Sequence, residues 1–540
     1  MEPVNQALAR EIVAAAWRAG VRTFCLCPGG RNAPIVEALE PLRGRGVEVL
    51  DFFDERAAAF FALGRARRDG RPAAVATTSG TAAAELLPAV VEAYYQGAPL
   101  LAITADRPRA FRGTGAPQSI EQPNLFGVYA RQAIDLGAAG TSWRIDPCCW
   151  PVHVNACFDE PLLGGWQAEA AADPIAAGES LAPGLAASGT VGAGPSPMAA
   201  VASVRRPLVI LGGLGPADRE PVEAFCRRLG APVLAEASSH LRRRLDGLRL
   251  KGGEPVAATG LRRGWFDGVI RIGDVPSFRV WRDLERLRDL PVLSVSRTPW
   301  RGLTRGVHAQ ARPGEPLPLD AIGAGPSDAA PGLAEEDGRV ASAIDRLLQR
   351  FPRSEPALVR GLSASIKAGS FVYLGNSLPI REWNQFASRD EFSYGENRGA
   401  NGIDGQVSTF LGWAGPGREN WALVGDLTAL YDLTSLWALR FAAGAVRVVV
   451  MNNGGGRIFR RMYRNPRFQN DHAVAFDLWA RTWDAAYSND PALLPERDPV
   501  VVELRPDQRE TDRFWEEYDR AVAPPGEARD AEGGTDADVE

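Results

Sequence analysis

What most restricts the fold of this chain is a repeated alternation: a short apolar run, a corner rich in Gly, Asp or Asn, then a helical stretch. Residues 21–27 (VRTFCLC) end in Pro28-Gly29-Gly30, and residues 47–53 run into ERAAAFFALGRAR. AAVATT then leads into a helix expected from Thr81 to about Tyr95, followed by PLLAIT. The pattern returns in RPLVILGG, APVLAEA, FDGVIRIGD and LPVLSVS, and again in SFVYLGNS, NWALVGD, AVRVVVMNN and PVVVELR. Strands alternating with helices of a dozen residues form βαβ units, whose strands lie parallel with helices packed on the sheet faces. The expected fold class is α/β, as three tandem domains with parallel sheets.

Composition shifts divide the chain. Residues 164–203 are rich in Ala, Gly, Pro and Ser, and residues 313–338 in Pro, Gly and acids; the last 14 residues are an acidic tail expected to be disordered. The expected boundaries are 1–165 for a first domain, 166–203 for a linker, 204–325 for a middle domain, 326–354 for a second linker with a connecting helix, 355–525 for a third domain and 526–540 for the tail.

A net charge of −5 gives no footprint for nucleic acid or a membrane surface. No apolar run reaches the roughly 18 residues of a membrane span. The amphipathic start, with Glu2 and Glu11, does not read as a signal peptide, so a cytoplasmic location is expected. Six cysteines (Cys25, Cys27, Cys148, Cys149, Cys157, Cys226) lack paired CxxC spacing and are expected to be buried free thiols. Four histidines without HExxH argue against zinc hydrolysis, and GGLG at 212–215 is too incomplete for a dinucleotide site.

Two corners carry more information. VGDLT (424–428) ends one apolar run, and Asn453, in VVVMNNGGGRIF, ends another 27 positions beyond Asp426. Ligands of open parallel sheets bind at the carboxyl ends of strands. Asp426 and Asn453 offer hard oxygens and Gly455 a backbone carbonyl, leaving places on an octahedral magnesium for phosphate and water. Singly, each is an ordinary turn, since Asp, Asn and Gly dominate turns. Together they resemble the signature of thiamine-diphosphate enzymes, with Leu427 where many relatives have Gly. In DFFDER (51–56), Glu55 starts a helix, where an acid is favoured by the dipole. That segment resembles the DER motif, whose carboxylate exchanges a proton with the aminopyrimidine so that the thiazolium C2 becomes a carbanion, a contribution of about 10²–10⁴-fold.

Further blocks narrow the resemblance. CPGGRNAP (27–34), TTSGTAAAELLPAVVEAYYQGAPLLAITADRP (77–108), GAPQSIEQ (115–122), PVHVNACFDEPL (151–162), GNSLPIREW (375–383) and NRGANGIDG (397–405) occur in the order found in the 2-succinyl-5-enolpyruvyl-6-hydroxy-3-cyclohexene-1-carboxylate (SEPHCHC) synthases, which share the Leu427 departure. The chain resembles that family except in its linkers and tail. The resemblance implies a first domain that binds the pyrimidine, a middle domain and a third domain that binds diphosphate. It implies thiamine diphosphate held by Pro28, Gly29, Glu55, Ser79, Ile403, Gly425, Asp426, Leu427, Thr428, Asn453, Gly455, Gly456 and Ile458, with Ile403 propping the cofactor into its bent shape. Asp426, Asn453 and Gly455 would hold Mg2+, or Mn2+ in its place. It further implies 2-oxoglutarate and isochorismate as substrates, and a homo-oligomer, at least a dimer, with the pyrimidine site of one subunit facing the diphosphate site of another.

Both substrates are dicarboxylates, and arginine forks bind carboxylates bidentately. Arg31, Arg107, Arg381 and Arg398 are the candidates by motif position, with Arg279 of the middle domain; Gln118, Asn376 and Ser377 could hydrogen-bond substrate. Glu55, Arg31, Gln118, Ser377, Arg381 and Arg398 form the expected catalytic set. Gly30 stands where the family often has Ser, and Phe278 where some members have a basic residue. Another thiamine 2-oxoacid decarboxylase or an acetolactate-synthase-like carboligase is the alternative, expected to lack Arg31, Arg381 and Arg398. A non-catalytic scaffold would not be expected to keep Glu55, Asp426 and Asn453 together.

Overall fold

The computed structural model describes residues 4–140, 142–165, 203–312, 314–322, 325–463 and 465–524. The expected linker at 166–203, apart from residue 203, and the expected tail at 526–540 lie outside these residues. Three sheets follow one another along the chain, and every strand pairing in them is parallel.

The first comprises β1 (Thr23–Leu26), β2 (Glu48–Asp51), β3 (Ala73–Thr77), β4 (Leu100–Asp106), β5 (Gln132–Leu136) and β6 (Val152–Cys157), in the order β2-β1-β3-β4-β6-β5. The second comprises β7 (Pro207–Leu211), β8 (Val233–Ala235), β9 (Gly268–Ile272), β10 (Val292–Ser296) and β11 (Val307–Gln310), in the order β11-β10-β9-β7-β8. The third comprises β12 (Phe371–Leu374), β13 (Ser393–Gly395), β14 (Glu419–Gly425), β15 (Ala445–Met451), β16 (Ala486–Ser488) and β17 (Val500–Leu504), in the order β13-β12-β14-β15-β17-β16. Central strands such as β3 and β4 are buried along their whole length, as a sheet covered on both faces requires.

Two expectations need correction. The helix foreseen over 81–95 is two helices, Thr81–Ala84 and Leu87–Gln96. Pro88 has no amide hydrogen for the Ala84 carbonyl, and its ring would crowd that carbonyl, so the chain turns at Glu85-Leu86. Within the stretch 326–354, where a linker with a connecting helix is expected, an amphipathic helix runs from Leu333 to Arg350. All six cysteines are free, but only Cys25, Cys27, Cys157 and Cys226 are buried; Cys148 and Cys149 are half-exposed. Among the described residues no helix is long and apolar enough to cross a membrane.

The first and third sheets are bound together by helices. The helix Glu55–Asp69 lies against the helix Gln406–Trp413 at a distance only glycine permits. A Cβ on Gly64 would sit 2.1 Å from the Thr409 carbonyl oxygen, and one on Gly412 would sit 2.2 Å from that of Phe61. Arg56 and Arg65 donate to the carbonyls of Tyr431 and Phe441, and Trp437 Nε1 to that of Asp51. The middle sheet joins through Trp300, whose Nε1 donates to the Tyr95 carbonyl at 2.8 Å, and through Asn384, which accepts from the Ala237 amide at 2.8 Å.

Candidate active site

In both six-stranded sheets the strand order reverses beside the strand that starts it, between β1 and β3 and between β12 and β14. A crevice opens at such a switch point, outside the carboxyl ends of the strands. The corners after β1, β3, β12, β14 and β15 hold most of the residues singled out from sequence.

After β14 the chain enters the short helix Asp426–Tyr431. Asp426 is 2% exposed, and its Oδ1 accepts from the Leu427 amide at 2.7 Å. Its Oδ2 accepts from the amides of Gly454 and Gly455, at 2.8 and 2.9 Å, in the corner after β15. Two segments far apart in sequence are thereby stitched into one cradle. Gly455 has φ 141°, and a Cβ there would lie 2.4 Å from the Gln469 carbonyl oxygen. His472 Nε2 lies 3.3 Å from Asp426 Oδ2, and burial raises the Asp426 pKa above the usual carboxylate value.

Asn453 completes the cradle. Its Nδ2 donates to both oxygens of Glu355, at 2.9 and 3.1 Å, while its Oδ1 is buried without a hydrogen-bond partner. Buried polar atoms are seldom left so in native proteins. An orphan amide oxygen beside a buried aspartate fits a hard divalent cation that takes its remaining ligands from phosphate and water. Among the described residues no three His, Cys, Asp or Glu side chains are grouped to hold a metal by themselves. Leu427 and Gly456 face one another across the cradle, the Leu427 Cδ1 lying 3.5 Å from where a Gly456 Cβ would be. Gly425 ends β14, Thr428 is buried behind it, and Ile458 is half-buried in the turn Arg457–Phe459.

The first sheet contributes a different corner. Gly29 packs so closely on Thr78 that a Cβ would meet the Thr78 Cβ at 2.6 Å. The Arg31 amide donates to Thr78 Oγ1, tying the corner after β1, with Pro28, to the corner holding buried Ser79. Nothing lies within 4 Å of a Cβ on Gly30, so the missing Ser leaves open space. Glu55 is the first residue of its helix, beside the N-cap Asp54, which accepts from the Ala57 amide. Glu55 is half-buried; burial, with Asp54 and Glu85 nearby, raises its carboxyl pKa. Asp54 also accepts from Thr434 Oγ1 of the third sheet's side.

Asn376, Ser377, Arg381 and Arg398 come together. Asn376 donates to the carbonyls of Asn397 and Gly402 and accepts from Arg398 at 3.1 Å. Ser377 has φ 74°, and its carbonyl accepts from Arg381 at 2.6 Å. The turn 397–405 that presents Arg398 and Ile403 is pinned from two further sides. Glu92 accepts from the amides of Gly399 and Ala400, and Asp432 from those of Gly405 and Val407. Ile403 is half-buried and belongs to no hydrophobic core cluster, which leaves its side chain available to a ligand.

The other candidates stand apart. Arg31 spends its guanidinium on the Phe158 carbonyl and Glu160. Arg107 donates to the Pro117 carbonyl, and Gln118, with φ 55°, is exposed over Gly80. Arg279 is 67% exposed and pairs with Asp283 at 3.6 Å, while Phe278 is buried in the core below it. Sequence reading missed Glu92, Asp432 and Glu355. Each is a buried acid, and burial raises the pKa of Asp432 and of Glu355 to about 7.

Two parallel sheets of one strand order, the third with an oxygen-lined cradle at its strand ends and the first with a half-buried carboxyl, suit a thiamine-diphosphate-dependent enzyme. Residues 7–125 match the family described as thiamine pyrophosphate enzyme, N-terminal TPP binding domain. Over 534 residues, 95% of this chain and 99% of the relative, the chain is 42% identical to a 2-succinyl-5-enolpyruvyl-6-hydroxy-3-cyclohexene-1-carboxylate synthase of Bdellovibrio bacteriovorus. It is 38% identical to the synthase of that name from Akkermansia muciniphila, over 92% of this chain and 95% of the relative, and 33% identical to that of Rubrobacter xylanophilus, over 96% and 98%. The chain belongs to the SEPHCHC synthase family.

Proposed function

We propose that this chain decarboxylates 2-oxoglutarate and joins the remaining four-carbon unit to isochorismate by conjugate addition, forming SEPHCHC for menaquinone biosynthesis. The observation that carries the reading is the meeting of Asp426 with the Asn453–Gly455 corner, which leaves Asn453 Oδ1 unpaired. Thiamine diphosphate supplies, when bound, the nucleophilic carbon and the electron sink that the decarboxylation needs. Asp426, Asn453 and the Gly455 carbonyl would hold Mg2+, or Mn2+ in its place, against the diphosphate. Glu55 would hold and release the proton of the aminopyrimidine ring, a task suited by a pKa raised through burial. Arg398 and Arg381 would meet substrate carboxylates, Arg398 oriented by Asn376 and Arg381 by the Ser377 carbonyl. Ile403 would press on the cofactor. Arg31, with its guanidinium held on Phe158 and Glu160, would shape the pocket wall unless substrate displaces that pair. The domain roles follow: the first sheet for the pyrimidine, the third for the diphosphate.

The same reading makes the enzyme a homo-oligomer of the cytoplasm. No hydrogen bond or ion pair joins Glu55 to the Asp426 cradle of its own chain among the described residues. Around Glu55, apolar Phe53, Tyr431 and Leu433 are exposed, which suits cover by a second copy. Mixing Glu55→Gln with Asp426→Ala chains tests this: hybrid dimers regain one intact shared site and therefore activity, whereas a site built within one chain stays dead in the mixture.

The activity itself is tested by supplying protein, thiamine diphosphate, Mg2+, 2-oxoglutarate and isochorismate. Carbon dioxide should appear in step with the loss of isochorismate absorbance. Release of carbon dioxide with isochorismate untouched would mark a plain decarboxylase instead.

A further inference from the structure

Beneath the cation cradle lie two buried acids that the proposed reaction does not use. Glu355 opens the helix Glu355–Ser365, behind the N-cap Ser354, and its own amide donates to Thr511 Oγ1 at 3.1 Å. Its carboxylate reaches the corner after β15 and takes both contacts from Asn453 Nδ2. Glu382, on the helix Leu378–Phe386, is equally buried at 2% exposure, and neither of its oxygens has a hydrogen-bond partner. The two acids face each other electrostatically, but only Glu355 touches Asn453.

An asparagine amide has two ends of similar size and opposite chemistry, one donating and one accepting. Turned half a revolution, Asn453 would present hydrogens to a cation in place of a lone pair. Both Glu355 oxygens lie within hydrogen-bonding distance of the same Asn453 nitrogen, a pair of contacts that only the NH2 end of the amide can supply. With that end held at 2.9 and 3.1 Å, the oxygen must point the other way, and there it is buried and unpartnered. We propose that Glu355 is a positioning residue, whose carboxylate fixes the Asn453 amide in the one orientation that turns Oδ1 toward the divalent cation. This rests on Asp426 and Asn453 being the ligands, as proposed above. Metal sites depend on such outer contacts, whose loss typically weakens metal binding about 10–100-fold.

The test is titration of Mg2+ into protein held in excess thiamine diphosphate, read by calorimetry, with bound Mn2+ counted by electron paramagnetic resonance. Glu355→Gln keeps the volume but offers both an acceptor and a donor, so Asn453 can pair either way round. It should bind the cation about 10–100-fold more weakly while the cation-free protein melts no lower than wild type. Glu382→Gln alters the neighbouring buried acid without touching Asn453 and should keep wild-type cation affinity. The double variant Glu355→Gln/Asn453→Asp should recover affinity relative to the single Gln, because an aspartate presents oxygen in either orientation. Wild-type affinity in Glu355→Gln, equal weakening in Glu382→Gln, or no recovery in the double variant overturns the proposal while the ligands stand. Wild-type protein that binds no cation under these conditions removes the ligand assignment and the positioning role with it.

Discussion

The first and third sheets follow one strand order, so their carboxyl ends offer the same kind of crevice. Their side chains differ in kind. Around β1–β3 the corners are small and closely packed, Gly29 against Thr78, with a half-buried acid, Glu55, whose pKa is raised by burial. Around β14 and β15 the acid is Asp426, nearly inaccessible and already holding three backbone amides. On the proposed reading, one end moves a proton and the other holds a charge in place. Shared topology sets where a ligand sits; the solvation of one carboxylate at each end sets what is done to it.

The largest effect expected from breaking this division is at the holding end. Asp426→Ala removes the acceptor that stitches two corners together and should abolish Mg2+-dependent binding of thiamine diphosphate, leaving no calorimetric heat above dilution. At the proton-moving end, Glu55→Gln should bind the cofactor normally and lose about 10²–10⁴-fold in turnover; unchanged steady-state rates would take Glu55 out of the reaction. Arg398→Ala should raise KM for 2-oxoglutarate about 10–100-fold, as expected for lost charged hydrogen bonds, with cofactor affinity unmoved.

Smaller effects probe how the halves are joined and titrated. Gly412→Ala forces a methyl group onto the Phe61 carbonyl and should cost about 1–3 kcal/mol, seen as a lower melting temperature. The pH dependence of stability should differ in sign between the two regions. His153, buried on β6 against Thr104 Oγ1, has its pKa lowered by burial to about 4. Its contribution is present above the unfolded value near 6.5 and is lost as pH falls toward 4. Asp432, in the third region, has its pKa raised by burial to about 7. Its contribution is full below about pH 4 and is lost as pH rises through 7. His153→Gln should flatten the acid limb of the melting-temperature profile, and Asp432→Asn the limb between pH 4 and 7; the opposite pairing would refute the assignment.

How much could be read in advance followed burial. The central strands announced themselves as apolar runs closed by Gly, Asp or Asn. The strands that escaped notice include β5, β11, β13 and β16, all at sheet edges, where half-buried stretches such as QAIDL, VHAQ and AYS carry no apolar run. The other, β6, was masked by His153 and Asn155, polar side chains turned into the buried network with Thr104. Asp426, Asn453 and Glu55 were legible because each stands where a strand ends. Glu92, Asp432 and Glu355 were not, because each acts on backbone or side chain distant from it in sequence. Glu92 holds amides some three hundred residues away, and only its place in the apolar run VVEAYY hinted at it.

The turn 397–405 is held by Glu92 from the first region and by Asn376 and Asp432 from the third. Its shape is therefore a property of the finished polypeptide and of no one stretch of it. Without residue 432 and the docked helix bearing Glu92, the segment carrying Arg398 lacks contacts that fix it in the folded molecule. On the proposed reading, the grip on a dicarboxylate therefore exists only in the complete fold.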